Sequence, residues 1–461
     1  MLIKRLFLLL LLSLLLTNPV SAQAVEYPMY VVQFGDSLNS IAALFGTTTD
    51  EIIQLNNISD PDFISEGTPL LIPGLDGISG ELRKVTISIG ETYFSIVKNG
   101  NLPENEFVRI NRITSPNEIH LGGTIILAEL SQDQFLSPYF TIPSGTTLLE
   151  SAAILNKSQN SLIQHNHLMG TWDYLDNQVL YSFKRDITTS LFPINSPVQE
   201  ISISSLPIMQ GKTIVIRIKT TKPLSITGSL NDHSLNFVSI GENEYIALQG
   251  IHRQADPGLT NFNISANDAS GEVFKYQQDT LLVADYFLQD NMLYVDPRLM
   301  DPAITEPEDQ LVISLTNPVT QNRFWDGYFY KPLDSIDCTS SVFGSIRAYN
   351  DSAYIYSHSG SDFGVCSNNL NIYAVASGIV VFSDFLDVRG NSVIIDHGWG
   401  VYSGYWHQSE RMVKKGDQVE AGQIIGQVGT TGRSNGAHLH LEIWVGGVQV
   451  EPMDWLTRQY P

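Results

Sequence analysis

Four histidines and one aspartate in the last quarter of the chain could do chemistry together. His358 and Asp362 lie in Tyr356-Ser-His-Ser-Gly-Ser-Asp362, His407 in Tyr405-Trp-His407, and His438 and His440 in Gly436-Ala-His-Leu-His440. Alternate residues of a strand face the same side, so His438 and His440 would project together, about 6 to 7 Å apart. One could bind a metal while the other addresses a bound substrate. His358 and Asp362 add an imidazole and a carboxylate, with Gly360 between them to permit a tight backbone path. Two histidines and an aspartate around Zn2+, with a position open for water, form a catalytic rather than a structural donor set. His407 supplies a further imidazole.

The segments that must position these side chains are strand-like and glycine-rich. Asn371-Ile-Tyr-Ala-Val-Ala376, Gly378-Ile-Val-Val-Phe382, Ser392-Val-Ile-Ile-Asp396, Gly426-Gln-Val428 and His438 to Val445 predict a mainly antiparallel β domain over residues 336–461. His397 falls in the strand Val393 to Gly398 and is read as a strand histidine. Cys338 and Cys366 are the two cysteines of the chain. In an exported protein that count favours one disulfide, and its loop would carry both His358 and Asp362. The chain-entropy model gives such a bond roughly 3 to 4 kcal/mol.

Export is expected from the first 24 residues. Lys4 and Arg5 precede an apolar run from Leu6 to Leu16, and Pro19-Val-Ser-Ala-Gln-Ala24 offers small residues for cleavage. The run is shorter than a spanning helix needs, so residues 1–24 read as a signal peptide, with no stable membrane insertion after its removal. A formal charge of −22 argues against nucleic-acid partners.

A chain of 461 residues leaves room for several domains between the leader and the histidines. Gly35, Gly90 and Gly145 recur every 55 residues, and so do Asn56, Asn111 and Asn166. Each interval reads as strand, helix, helix, strand, which gives three small α+β repeats at 28–74, 82–129 and 137–184. They resemble LysM domains, most closely in the first copy with Gly35-Asp-Ser-Leu38, Ile41-Ala42, Asn56 and Gly67-Thr-Pro-Leu-Leu-Ile-Pro73. The resemblance implies binding to N-acetylglucosamine-containing glycan. Copies two and three depart from the pattern, with Glu91 and Thr146 where the first has Asp36. His165-Asn-His167 in the third copy has no acidic or histidine partner nearby, so a metal pair is not expected there. Short alternating strands over 195–290, such as Thr213-Ile-Val-Ile-Arg-Ile-Lys219 and Glu244-Tyr-Ile-Ala-Leu248, suggest an all-β immunoglobulin-like sandwich acting as spacer or wall. A stretch rich in proline and acidic residues makes 291–335 a linker.

The C-terminal domain is similar to the lysostaphin-type (LytM) zinc endopeptidases of bacterial cell walls. The elements that carry the likeness are Ser341-Val-Phe-Gly344, His358-Ser-Gly-Ser-Asp-Phe-Gly364, Tyr405-Trp-His407, Gly429-Thr-Thr-Gly-Arg-Ser434 and His438-Leu-His-Leu-Glu442. The resemblance implies that His358, Asp362 and His440 ligate Zn2+ and that His407 and His438 are catalytic. The expectation is therefore a secreted or cell-envelope zinc endopeptidase that cuts peptidoglycan stem peptides or cross-bridges. The alternative from another class is a non-catalytic wall-binding regulator that activates another hydrolase.

Overall fold

The computed structural model describes residues 27–75, 78, 80–99, 103–129, 137–142, 144–155, 157, 159, 162–163, 166, 168–175, 178–182, 196–231 and 233–461. The expected signal peptide, His165 and His167 lie outside the described residues. No described helix is long and apolar enough to cross a membrane. The chain divides into two compact units, 1–85 with 100–114 and 125–134, and 86–99 with 115–124 and 135–461.

In the first unit the strand Met29–Val31 pairs antiparallel with Pro69–Leu71 and parallel with Glu81–Thr86. Helices Leu38–Phe45 and Thr49–Asn56 each begin with a reciprocal capping box, Ser37 with Ser40 and Thr48 with Glu51. These boxes satisfy backbone donors that a short helix leaves orphaned. Asn56 explains one element of the repeat. Its amide donates to the Leu71 carbonyl at 2.8 Å and its side-chain oxygen accepts from the Leu71 N–H at 2.7 Å, so the helix end is clamped to the closing strand. Asn111 does the same to Ile126. In the second unit Asn166 does it to Tyr181, again 15 residues on.

Also in the second unit, Glu91 is buried, with its carboxylate bonded to the Ser88 N–H and the Tyr181 hydroxyl. The residue that departs from Asp36 of the first copy is thus a buried contact to the third copy's closing strand. The Leu121 carbonyl accepts from the Leu281 N–H at 2.9 Å and from the Thr280 hydroxyl at 3.1 Å, which fastens the segment 115–124 to the strand Gly271–Val283.

That strand belongs to a five-stranded sheet that faces a four-stranded one formed by Val238–Ser239, Glu244–Gly250, Thr213–Thr220 and Val198–Ile203. Ile214, Ile216, Ile218, Phe262, Ile264 and Leu282 fill the space between them. Alternation along Thr213–Thr220 supplies a second face, because Val215 joins Ile246 and Leu248 in the core of the C-terminal domain. At Gly250 the strand Glu244–Gly250 comes closest to the C-terminal domain. A Cβ on Gly250 would stand 2.7 Å from Val450 and 2.9 Å from the Val445 carbonyl. The Trp455 indole N–H also donates to the Thr213 hydroxyl at 3.0 Å.

The C-terminal domain is built on an antiparallel sheet in the order Thr339–Ser341, Ser361–Gly364, His438–Val445, Val401–Gln408, Gly390–Gly398, Gly378–Leu386, Gln418–Val419. The expected linker differs from what forms: Pro302–Thr316 is a 15-residue helix. Proline and acidic residues read as a linker there, but Asp301 is the N-cap, accepting from the Ala303 N–H, and Pro302 occupies the first helical position, where its missing N–H costs nothing. Cys338 and Cys366 are joined as a disulfide with their Cα atoms 6.0 Å apart.

Candidate metal centre and its histidines

The three central strands place the donors. In the register, Asp362 on Ser361–Gly364 stands opposite His440 on His438–Val445, and His438 stands opposite Gly364. His358 follows the short strand Tyr356–Ser357 and reaches the same point through the turn at Gly360. A Cβ at Gly360 would meet the Leu441 carbonyl at 2.2 Å and His440 Nε2 at 2.7 Å, so glycine alone permits the approach. His407 sits near the end of Val401–Gln408 with a left-handed backbone, φ 63°, which breaks the regular pleat there. Its N–H is held by the Arg389 carbonyl at 2.9 Å.

His358, Asp362 and His440, all buried, form a group able to hold a metal ion. His358 Nε2 lies 3.0 Å from His440 Nδ1 and 3.1 Å from Asp362 Oδ1, and His440 Nδ1 lies 2.8 Å from that oxygen. Zinc–ligand bonds of about 2.0 to 2.2 Å set neighbouring donors of a tetrahedron roughly 3.3 Å apart, so the spacing fits. The chemistry of the donors fits as well. His358 Nδ1 donates to the Val342 carbonyl at 2.9 Å, leaving Nε2 free to ligate. His440 Nε2 donates to Glu442 Oε1 at 3.1 Å, leaving Nδ1. Arg347 binds Asp362 Oδ2 at 2.6 Å, leaving Oδ1, and its own Nε is held by Asp290 at 2.9 Å. Each donor is thus oriented by a partner on its far side, as metal ligands commonly are.

His407 and His438 stand beside this group, their ring centroids 4.9 Å apart. His407 Nδ1 donates to the Thr431 carbonyl and His438 Nδ1 to the Gly436 carbonyl, each at 2.8 Å. Both therefore offer Nε2, and that of His438 is 3.6 Å from Asp362 Oδ1. Burial pushes the His358 imidazole down to about 4. Burial, with His438 and His440 alongside, takes His407 to about 3. Burial alone would raise Asp362, but the His358 and His440 rings hold it well below the usual carboxylate range. Glu442, fully enclosed, is kept at about 2 against burial by its bond to His440.

Clefts of about 470 Å3 and about 410 Å3 adjoin the cluster, with Arg347, Tyr349, His407, Arg433 and His440 lining both. Sequence reasoning named all five residues that converge here. It assigned no site role to Glu442, although Glu442 follows His438 and His440 in the same alternation, and that was the available signal. Asp290 and Thr431 gave none. His397 lies apart: its Nδ1 donates to the Ser377 carbonyl at 2.8 Å, its Nε2 lies 2.7 Å from the Ser403 hydroxyl, and its ring packs on Phe329.

Residues 356–452 match the model of peptidase family M23, and residues 30–73 and 85–128 match the LysM domain. The chain carries an M23 (LytM-type) peptidase domain behind two LysM domains. It is 36% identical over 125 residues to the peptidoglycan DD-endopeptidase ShyC of Vibrio cholerae, a match covering 27% of this chain and 28% of that protein. It is 37% identical over 92 residues to the murein hydrolase activator EnvC of Escherichia coli, covering 20% and 22%. Among solved structures, the antimicrobial peptidase lysostaphin from Staphylococcus simulans matches at 31% identity and a TM-score of 0.22, covering 26% of this chain and 48% of that one. The chain thus spans well under a third of the curated relatives it matches.

Proposed function

We propose that the protein is an exported zinc endopeptidase of peptidoglycan, cutting stem peptides or cross-bridges while its N-terminal repeats hold N-acetylglucosamine-containing glycan. The observation that carries this reading is the convergence of three oriented donors with two imidazoles whose Nδ1 atoms are tied to backbone carbonyls. Zinc held by His358, Asp362 and His440 would supply Lewis acidity toward a scissile carbonyl. His407 and His438 would do the proton chemistry. A neutral imidazole with Nδ1 tied to a carbonyl accepts a proton at Nε2, here from an attacking water. Once protonated, it donates to the oxyanion or to the departing amine. In this reading the two-sheet region at 195–290 is immunoglobulin-like and serves as one wall of the catalytic half.

The test is release of fragments from purified sacculi by zinc-loaded wild type, His440→Ala and His438→Ala, with mass spectrometry identifying the bond cut. Wild type is expected to cleave, and both variants to fall by at least 100-fold. His440→Ala should also lose zinc, which His438→Ala should keep. The likeness to EnvC favours a second reading, an activator that does not cut. Failure of wild type to release any fragment, together with stimulation of another hydrolase, would establish that one.

A further inference from the structure

The metal centre's outer support does not end within the peptidase domain. Glu442, which takes the His440 Nε2–H, is 2% exposed, and both its oxygens are engaged. Oε1 also accepts from the Ser359 hydroxyl at 2.6 Å, and Oε2 from the Gln449 amide at 2.9 Å. Gln449 turns its own oxygen to Arg253 Nη1, at 3.0 Å. Arg253 stands just beyond the strand Glu244–Gly250, in the two-sheet region that showed no chemistry in the sequence. The same guanidinium uses its other nitrogens on Ser357, Nε to the hydroxyl at 2.9 Å and Nη2 to the carbonyl at 3.2 Å. Ser357 is the residue before His358.

We infer that Arg253 is a positioning residue of the metal centre. It reaches His440 through Gln449 and Glu442, and it fixes the backbone that delivers His358. This inference rests on the proposed zinc site. Two of the three donors converge on one side chain contributed by a different domain, and a planar fork with its donors set at fixed angles is the group able to serve both at once. Loss of that fork frees Gln449 to rotate and leaves Glu442 with one fewer donor. His440 then has a less fixed ring, and the Ser357–His358 link loses its two bonds. The two-sheet region thereby takes part in holding metal.

The experiment measures zinc affinity by competition with a chromogenic chelator, together with the visible absorption of the cobalt-substituted protein. Both are read on the full chain for wild type, Arg253→Met, Arg253→Lys and Gln449→Leu. Thr213→Val, which breaks the bond to Trp455 in the same domain contact but lies off the route to the metal, is the control. Outer-shell partners typically carry 10- to 100-fold in metal affinity, so Arg253→Met and Gln449→Leu are each expected to weaken zinc about tenfold and to shift the cobalt bands. The double variant Arg253→Met with Gln449→Leu should be little worse than Arg253→Met alone, because the second change breaks a route the first has already cut. Arg253→Lys keeps the charge without the fork and should also weaken binding, while Thr213→Val lowers the melting temperature at unchanged zinc affinity. If Arg253→Met and Gln449→Leu hold zinc as wild type does and differ only in melting temperature, the inference is overturned and Arg253 is a domain contact alone. A wild type that takes up no zinc overturns the functional proposal, and this inference with it.

Discussion

Every histidine at the site has one ring nitrogen committed to a carbonyl or carboxylate, and that commitment decides what the other nitrogen can do. His358 and His440 present opposite nitrogens to the centre, Nε2 and Nδ1, because the first is held by Val342 and the second by Glu442. Alternation could place His438 and His440 on one face, but the sequence could not choose the tautomers of the site histidines, since Val342 and Thr431 contribute only backbone. His397 provides a test at this scale that is separate from the metal. Burial holds it at about 4, below its ordinary 6.5. A group so depressed takes up a proton on unfolding between those values. Its contribution is therefore complete above pH 6.5 and is lost as the pH falls toward 4, to the extent of about 3 kcal/mol. Denaturant unfolding at a series of pH values should show stability dropping through that window, and His397→Gln should reduce the slope by about one proton.

At the scale of elements, the helix Pro302–Thr316 matters for what it carries. Glu308 is buried and accepts from the Val388 N–H at 2.8 Å, the Arg389 N–H at 3.1 Å and Arg389 Nη1 at 2.8 Å. The loop thus secured is the one whose Arg389 carbonyl receives the His407 N–H. Glu308→Gln replaces one acceptor oxygen by a donor facing backbone N–H groups. It should cost about 2 to 3 kcal/mol in thermal or denaturant unfolding and reduce kcat with little change in KM. This helix was hidden in the sequence because its turns are irregular in hydrophobic period and Pro307 lies inside it. Asp301 and Pro302 are the cap and first-turn pair that start it, but proline and acidic composition alone read as a linker. The peptidase strands were legible because their alternation and glycines match a pleated sheet, and the five site residues because they sit on or beside those strands. Arg253 and Asp290 were not, since nothing local marks a residue whose partner is 104 positions distant or is met only across the fold.

Over the whole molecule the repeats were readable from their interval alone, and Asn56, Asn111 and Asn166 show why. Each clamps the residue 15 positions later, so spacing and identity are fixed together. What the interval could not convey is that Glu91 is spent on Tyr181 and Leu121 on the strand Gly271–Val283. If zinc binds the folded chain and not the unfolded one, saturation at about 100 times Kd stabilises it by about 2.7 kcal/mol. Chelation should then lower the melting temperature of the C-terminal half by about 5 to 10 °C, and restored zinc should recover it. Differential scanning calorimetry with and without chelator reads this directly.

The close contact around Gly250 bears on how the protein is to be handled. A fragment cut at the family boundaries, 356–452, would lack Arg347 and Asp290, and with them the anchor of the Asp362 carboxylate. It would also expose the faces of Ile443, Val445 and Val450 that Val215, Ile246 and Leu248 cover. Such a piece is expected to precipitate on expression, whereas 196–461 keeps those faces covered and should melt in one transition, because Val215, Ile246 and Leu248 share one core with Ile443, Val445 and Val450.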